Sequence, residues 1–199
     1  MSENAENLTT KFKLFKEEET KPESSNLDIE FAQNLVKFGG HFFYCESKAD
    51  CISQLEMLKT EKDWNYIHCW EVELKEALNT LNFQKDQLGY HLDNSNAALS
   101  TCEYLISDTG AILLAPKQAS RRRLPMFPDA HILIADSSQL CSTLESAVED
   151  FLDKKSNELP SLLDLSKTSG WKTSMCNVPV LYAEGPRDIY VFLCDEKLH

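Results

Sequence analysis

The chain has 199 residues, close to the size of one domain, and 42% of them are hydrophobic, which separates it from chains that stay disordered for want of a core. Its 32 Asp and Glu against 20 Lys and Arg give a formal charge of −12, so a nucleic-acid backbone is repelled and no nucleic-acid partner is expected. The opening MSENAENLTTKF lacks the basic start and apolar run of a secretory signal, and no later run reaches membrane-spanning length; the expected setting is cytoplasmic, without membrane insertion.

Residues 1–26 are rich in Lys, Glu, Asn, Ser and Thr and read as a flexible or weakly helical arm, leaving 27–199 as a single domain. Leu27, Phe31, Leu35 and Phe38 recur every three to four residues before Gly39-Gly40, which predicts an amphipathic helix stopped by glycine. His41-Phe42-Phe43-Tyr44-Cys45 is short and aromatic, as a buried strand requires. Ser47 then caps a helix whose first turn carries Asp50 and whose inner face is Ile52, Leu55 and Leu58. Tyr66 to Trp70 predicts a second strand, followed by a helix bearing Leu74, Ala77, Leu78 and Leu81. Strands separated by helices favour parallel pairing, because parallel neighbours need a crossover.

Farther on, Tyr104-Leu105-Ile106 and Ala111-Ile112-Leu113-Leu114 flank Ser107-Asp108-Thr109-Gly110, the pattern of an antiparallel hairpin. His131 to Ala135 predicts a strand leading through Asp136-Ser137-Ser138 into a helix with Leu140, Leu144, Val148 and Phe151 on one side. Residues 153–170 read as a loop or short helix. Val178 to Tyr182 and Ile189 to Leu193 are the late strands, the first at a sheet edge or strand start because Pro179 cannot donate a ladder bond. The fold class expected is α/β, a mixed, mainly parallel sheet flanked by helices.

Seven cysteines stand at positions 45, 51, 69, 102, 141, 176 and 194, an odd and scattered set unlike a disulfide framework. No C-x-x-C occurs, so neither an iron–sulfur ligand run nor a zinc ribbon is expected, and no metal or cofactor is assigned to this chain. Cys102 and Cys176 read as small buried hydrophobes, and His41, His68 and His91 have no recognisable metal spacing.

Three blocks resemble the LUD, or lactate-utilisation, family. Leu105 to Leu114 is similar to its apolar segment, acidic-Thr-Gly turn and second apolar segment, with Asp108 in place of Glu. Arg123-Leu124-Pro125 followed by Pro128-Asp129-Ala130-His131-Ile132 resembles its Arg-Leu segment and strand entry. Glu184 to Leu193 resembles its Gly-Pro-Arg turn and last strand. Between the second and third blocks the family pattern is broken: Trp171, Met175 and Asn177 replace Ser, Asp and Glu, and Glu184 replaces a His, while Lys172 and Thr173 remain compatible. The resemblance implies the fold shared by glucosamine-phosphate deaminase, ribose-phosphate isomerase and the coenzyme A transferases. It also implies a part in oxidising lactate to pyruvate beside separate iron–sulfur subunits, which would hold the clusters.

The candidate ligand-binding residues are Asp108, Thr109, Gly110, Arg123, Lys172 and Thr173. A carboxylate, a hydroxyl and a glycine backbone in one turn can meet a small ligand, although Asp and Gly also simply make turns. Arg121, Arg122 and Arg123 are three of only four arginines, and a guanidinium fork suits a carboxylate or phosphate; Arg123 alone lies in the family-like context. Any such site is expected to gather Thr109, Gly110 and Arg123 beyond strand ends, with Lys172 or Thr173 nearby. His131 lies at a strand start, where a structural role is the commoner one, and no catalytic residue is assigned. Three functions compete: an accessory or assembly subunit of lactate oxidation, a stand-alone enzyme or binding protein for a small anionic metabolite such as an organic acid, sugar phosphate or acyl-coenzyme A, and an interaction scaffold whose site has decayed.

Overall fold

The computed structural model describes residues 26–80, 88–89, 95–118, 128–155, 157–166, 180–181 and 188–195. The predicted arm, apart from Asn26, lies outside them, as do Arg123, Lys172 and Thr173.

Helix α1 (Leu27–Lys37) ends in a glycine motif that follows from its sequence. Gly39 takes a φ of +89°, and the Gly39 and Gly40 amides return to the Val36 and Leu35 carbonyls at 3.0 Å each, capping two orphan acceptors. Strand β1 (His41–Cys45) follows, and Ser47 Oγ accepts the Asp50 amide at 3.2 Å to start α2 (Lys48–Glu61). Next come β2 (Ile67–Cys69), α3 (Val72–Thr80), β3 (Leu88–Gly89) and β4 (Ala97–Thr101). The expected hairpin is β5 (Tyr104–Ile106) paired antiparallel with β6 (Ala111–Leu114).

Strand β7 (Ala130–Asp136) runs as expected, but the element after it differs. Asp136 caps a 3₁₀ turn over Ser137–Gln139 by accepting the Ser138 amide, Leu140–Cys141 forms strand β8, and helix α4 (Leu144–Lys154) starts only after Thr143 caps the Ser146 amide. Leu140 therefore belongs to a strand, because two successive side-chain caps compete with a continuous helix. Within the stretch expected to be loop or short helix lies β9 (Ser161–Leu163); β10 (Val180–Leu181) and β11 (Asp188–Cys194) complete the order. Pro179 lies outside the described residues.

The main sheet has six strands in the order β1-β11-β7-β4-β2-β3, and every pairing in it is parallel. A second, mixed sheet runs β10-β9-β6-β5-β8. Alternation along β7 and β11 sorts their side chains between two cores. Ile132, Ile134, Tyr190 and Phe192 join Leu55 and Leu58 of α2 and Leu74 and Leu78 of α3. Leu133, Ala135, Ile189, Val191 and Leu193 join Phe31 and Leu35 of α1 and Leu105, Ile112 and Leu163 of the second sheet. The far side of that sheet packs Ile106, Leu113 and Leu162 on Leu144, Ala147, Val148 and Phe151 of α4. The result is α/β with a parallel sheet covered on both faces, so β7 and β11 read as near-continuous apolar runs.

Candidate functional site

The described polar groups that are both buried and mutually bonded concentrate around β2, β4 and β7. Ala98 stands opposite His68 on one side and His131 on the other, so both imidazoles share a sheet face with Ser100. Ser100 Oγ lies 2.8 Å from His131 Nε2, and neither residue exposes surface. Burial alone drives the His131 pKa down to about 3, so the imidazole is neutral at physiological pH. The distance is that of a nucleophile–base pair, but so weak a base has little capacity to take a hydroxyl proton. Its burial and hydrogen bond match a structural histidine.

Trp70, immediately after β2, has its ring 5.5 Å from His68 and 6.3 Å from His131, and its indole N–H donates to the Lys117 carbonyl at 2.6 Å. Glu71, one residue before α3, accepts the Thr101 amide at 2.6 Å and the Thr101 hydroxyl at 2.7 Å. Gln118 donates to Thr101 Oγ1 at 3.0 Å and accepts the Ala115 amide at 2.7 Å. Glu71, Thr101 and Gln118 are all buried. These bonds tie the start of α3 and the segment after β6 to the carboxyl ends of β2 and β4, the edge where open α/β sheets commonly receive ligands.

The Asp108-Thr109-Gly110 turn sits at the other end of the β5/β6 hairpin, against α1. Gly110 has a φ of +70°, and a Cβ there would meet Leu35 N at 2.5 Å and the Asn34 carbonyl carbon at 2.7 Å. Asn34 Nδ2 donates to the Ser107 carbonyl and Ser107 Oγ to the Leu27 carbonyl, each at 2.8 Å. Thr109 Oγ1 accepts the Ala111 amide at 3.3 Å, and Asp108 is exposed, its pKa raised by partial burial against the lowering hydrogen bond from Thr109. Hydrogen bonding and glycine geometry therefore give this turn a packing role. The structure brings Asp108, Thr109 and Gly110 together; Arg123, Lys172 and Thr173, proposed to join them, lie outside the described residues.

Sequence reasoning missed Ser100, Glu71 and Gln118. Their partners are 31, 30 and 17 residues away, beyond any local pattern. It also missed a group formed by Cys45, Cys51 and Cys194, whose sulfurs all lie within 4.8 Å of one another. No residue spacing signals it, because the three come from different elements.

The sequence model of the LUD domain matches residues 57–194, more than half of the chain. A protein of Deinococcus radiodurans called lactate utilization protein C is 37% identical over 59 residues, which are 29% of this chain and 28% of that relative. The chain therefore matches well under a third of that relative's length. In the crystal structure of a DUF162 family protein from the same organism the fold recurs, with a TM-score of 0.62 at 17% identity over 87% of this chain and 99% of that one. Among the described residues, no helix is long and apolar enough to cross a membrane.

Proposed function

This chain belongs to the LUD-domain family, and on that premise we propose that it serves lactate utilisation as an accessory or assembly subunit of the oxidation of lactate to pyruvate, beside separate iron–sulfur subunits. What carries this reading is the reach of the family match, which takes in Glu71, Ser100, Thr101, Gln118 and His131 within residues 57–194. The name of the Deinococcus radiodurans relative supports it. The described polar side chains there bond mainly to one another, and His131 is held neutral, which suits a firm scaffold better than proton transfer. The test is co-purification of the full chain with the products of neighbouring genes, followed by lactate-dependent reduction of a dye with and without it. Association and a rate that depends on the chain are expected; no association and an unchanged rate overturn the reading.

A second reading is supported by the position of Trp70, Glu71, Thr101 and Gln118 at the carboxyl edge of the parallel sheet. In it the chain is a stand-alone enzyme or binding protein for a small anionic metabolite, an organic acid, sugar phosphate or acyl-coenzyme A, with Arg123 and Lys172 supplying positive charge. A ligand that binds the folded state raises Tm with concentration. The expected result is such a rise for one class and its loss in Arg123→Ala; a flat screen beside a working control rejects it.

A further inference from the structure

Cys45 ends β1, Cys194 ends β11, and the two are register partners in adjacent parallel strands. Cys51 comes from the first turn of α2, whose amino end lies just after β1. Each cysteine is at most 1% exposed, and the three sulfurs lie within 4.8 Å of one another. Other buried cysteines behave differently: Cys69 Sγ is bonded to the Glu71 carbonyl, and Cys102 sits in the core on the opposite sheet face. We propose that Cys45, Cys51 and Cys194 form a binding site for one soft, thiophilic cation, copper(I) held by three sulfurs.

The distances suit it. Three sulfurs about 2.3 Å from a common centre in a plane stand roughly 4 Å apart, so sulfurs within 4.8 Å need to close by less than about 1 Å. Thiolates select soft ions, and a three-sulfur set suffices for copper(I), whereas zinc in a structural site takes four donors. On binding, three metal–sulfur bonds form, the three thiols release their protons to solvent, and no electron changes hands. Cys51 lies at the positive end of α2, which favours the negative charge of the metal-bound thiolates. Phe43, Leu55 and Phe192 belong to the same core and keep water from the sulfurs.

The test is anaerobic titration of the full, reduced chain with copper(I) delivered from a chromophoric chelator, with zinc(II) in a parallel arm. One equivalent of copper(I), a sulfur-to-metal charge-transfer band and a higher Tm are expected. Cys51→Ser and Cys194→Ser should each weaken uptake about 100-fold or more, and Cys102→Ala should leave it unchanged; circular dichroism reports whether each variant is folded, and Cys51→Ala is read if a serine variant is not. No uptake by the wild-type chain, or uptake that survives loss of Cys51 and of Cys194, overturns the site. Uptake of zinc(II) without copper(I) overturns the choice of cation.

Discussion

Ser100 Oγ and His131 Nε2 meet at 2.8 Å between β4 and β7, in a part of the molecule where both residues are completely shielded from solvent. A buried imidazole deprived of such a partner loses its hydrogen bond without regaining water. Ser100→Ala is therefore expected to lower unfolding stability by about 1–3 kcal/mol, read as a lower urea midpoint at unchanged m value.

The same burial makes His131 a source of acid sensitivity. Its folded pKa is depressed from 6.5 to about 3, so between those values the unfolded chain binds a proton that the folded chain does not. Stability contributed by keeping it neutral is present in full above pH 6.5 and is lost as pH falls toward 3. In His131→Gln, which keeps a hydrogen-bonding group beside Ser100, the slope of stability against pH over that window should shrink by up to about 1.4 kcal/mol per pH unit. Parallel urea titrations at several pH values check this; identical slopes would reject the assignment.

Glu71 fastens the start of α3 to the end of β4 through two bonds to Thr101. Glu71→Ala is expected to cost about 2 kcal/mol or more, and Glu71→Gln, which keeps one acceptor oxygen, about 1 kcal/mol. Hydrogen exchange gives a local readout: the Thr101 amide should exchange faster in the alanine variant.

Two glycines with positive φ separate backbone strain from steric overlap. Around Gly39 a Cβ meets nothing within 4 Å, so Gly39→Ala should cost only the left-handed conformation, about 1 kcal/mol. Gly110→Ala adds a collision with the backbone of Asn34 and Leu35, which cannot swing aside. It should cost about 2 kcal/mol or more. Equal thermal shifts for the two variants would contradict this close approach of the hairpin to α1.

Local chemistry made much of the fold legible in the sequence. The glycine stop after α1, the Ser47 cap, the β5/β6 hairpin and the apolar β7 and β11 each depend on residues a few positions apart, and each stands where its pattern predicts. Strand β1 also forms where expected, but as an edge strand with only Cys45 buried rather than as the buried strand its aromatic run predicts, because the sheet ends there. The three blocks resembling the LUD family likewise lie in contiguous stretches. What tertiary structure decided has another physical origin. Strand β4, Ala97–Thr101, is fully buried inside the parallel sheet, yet its AALST sequence carries no alternation and only one β-branched residue, Thr101; its neighbours on both sides make it a strand. Strand β9 exists because β6 offers it a partner. The Ser100–His131 pair and the Cys45, Cys51 and Cys194 group arise where parallel strands, joined by long crossovers, bring distant residues into register, and no spacing along the chain encodes that meeting.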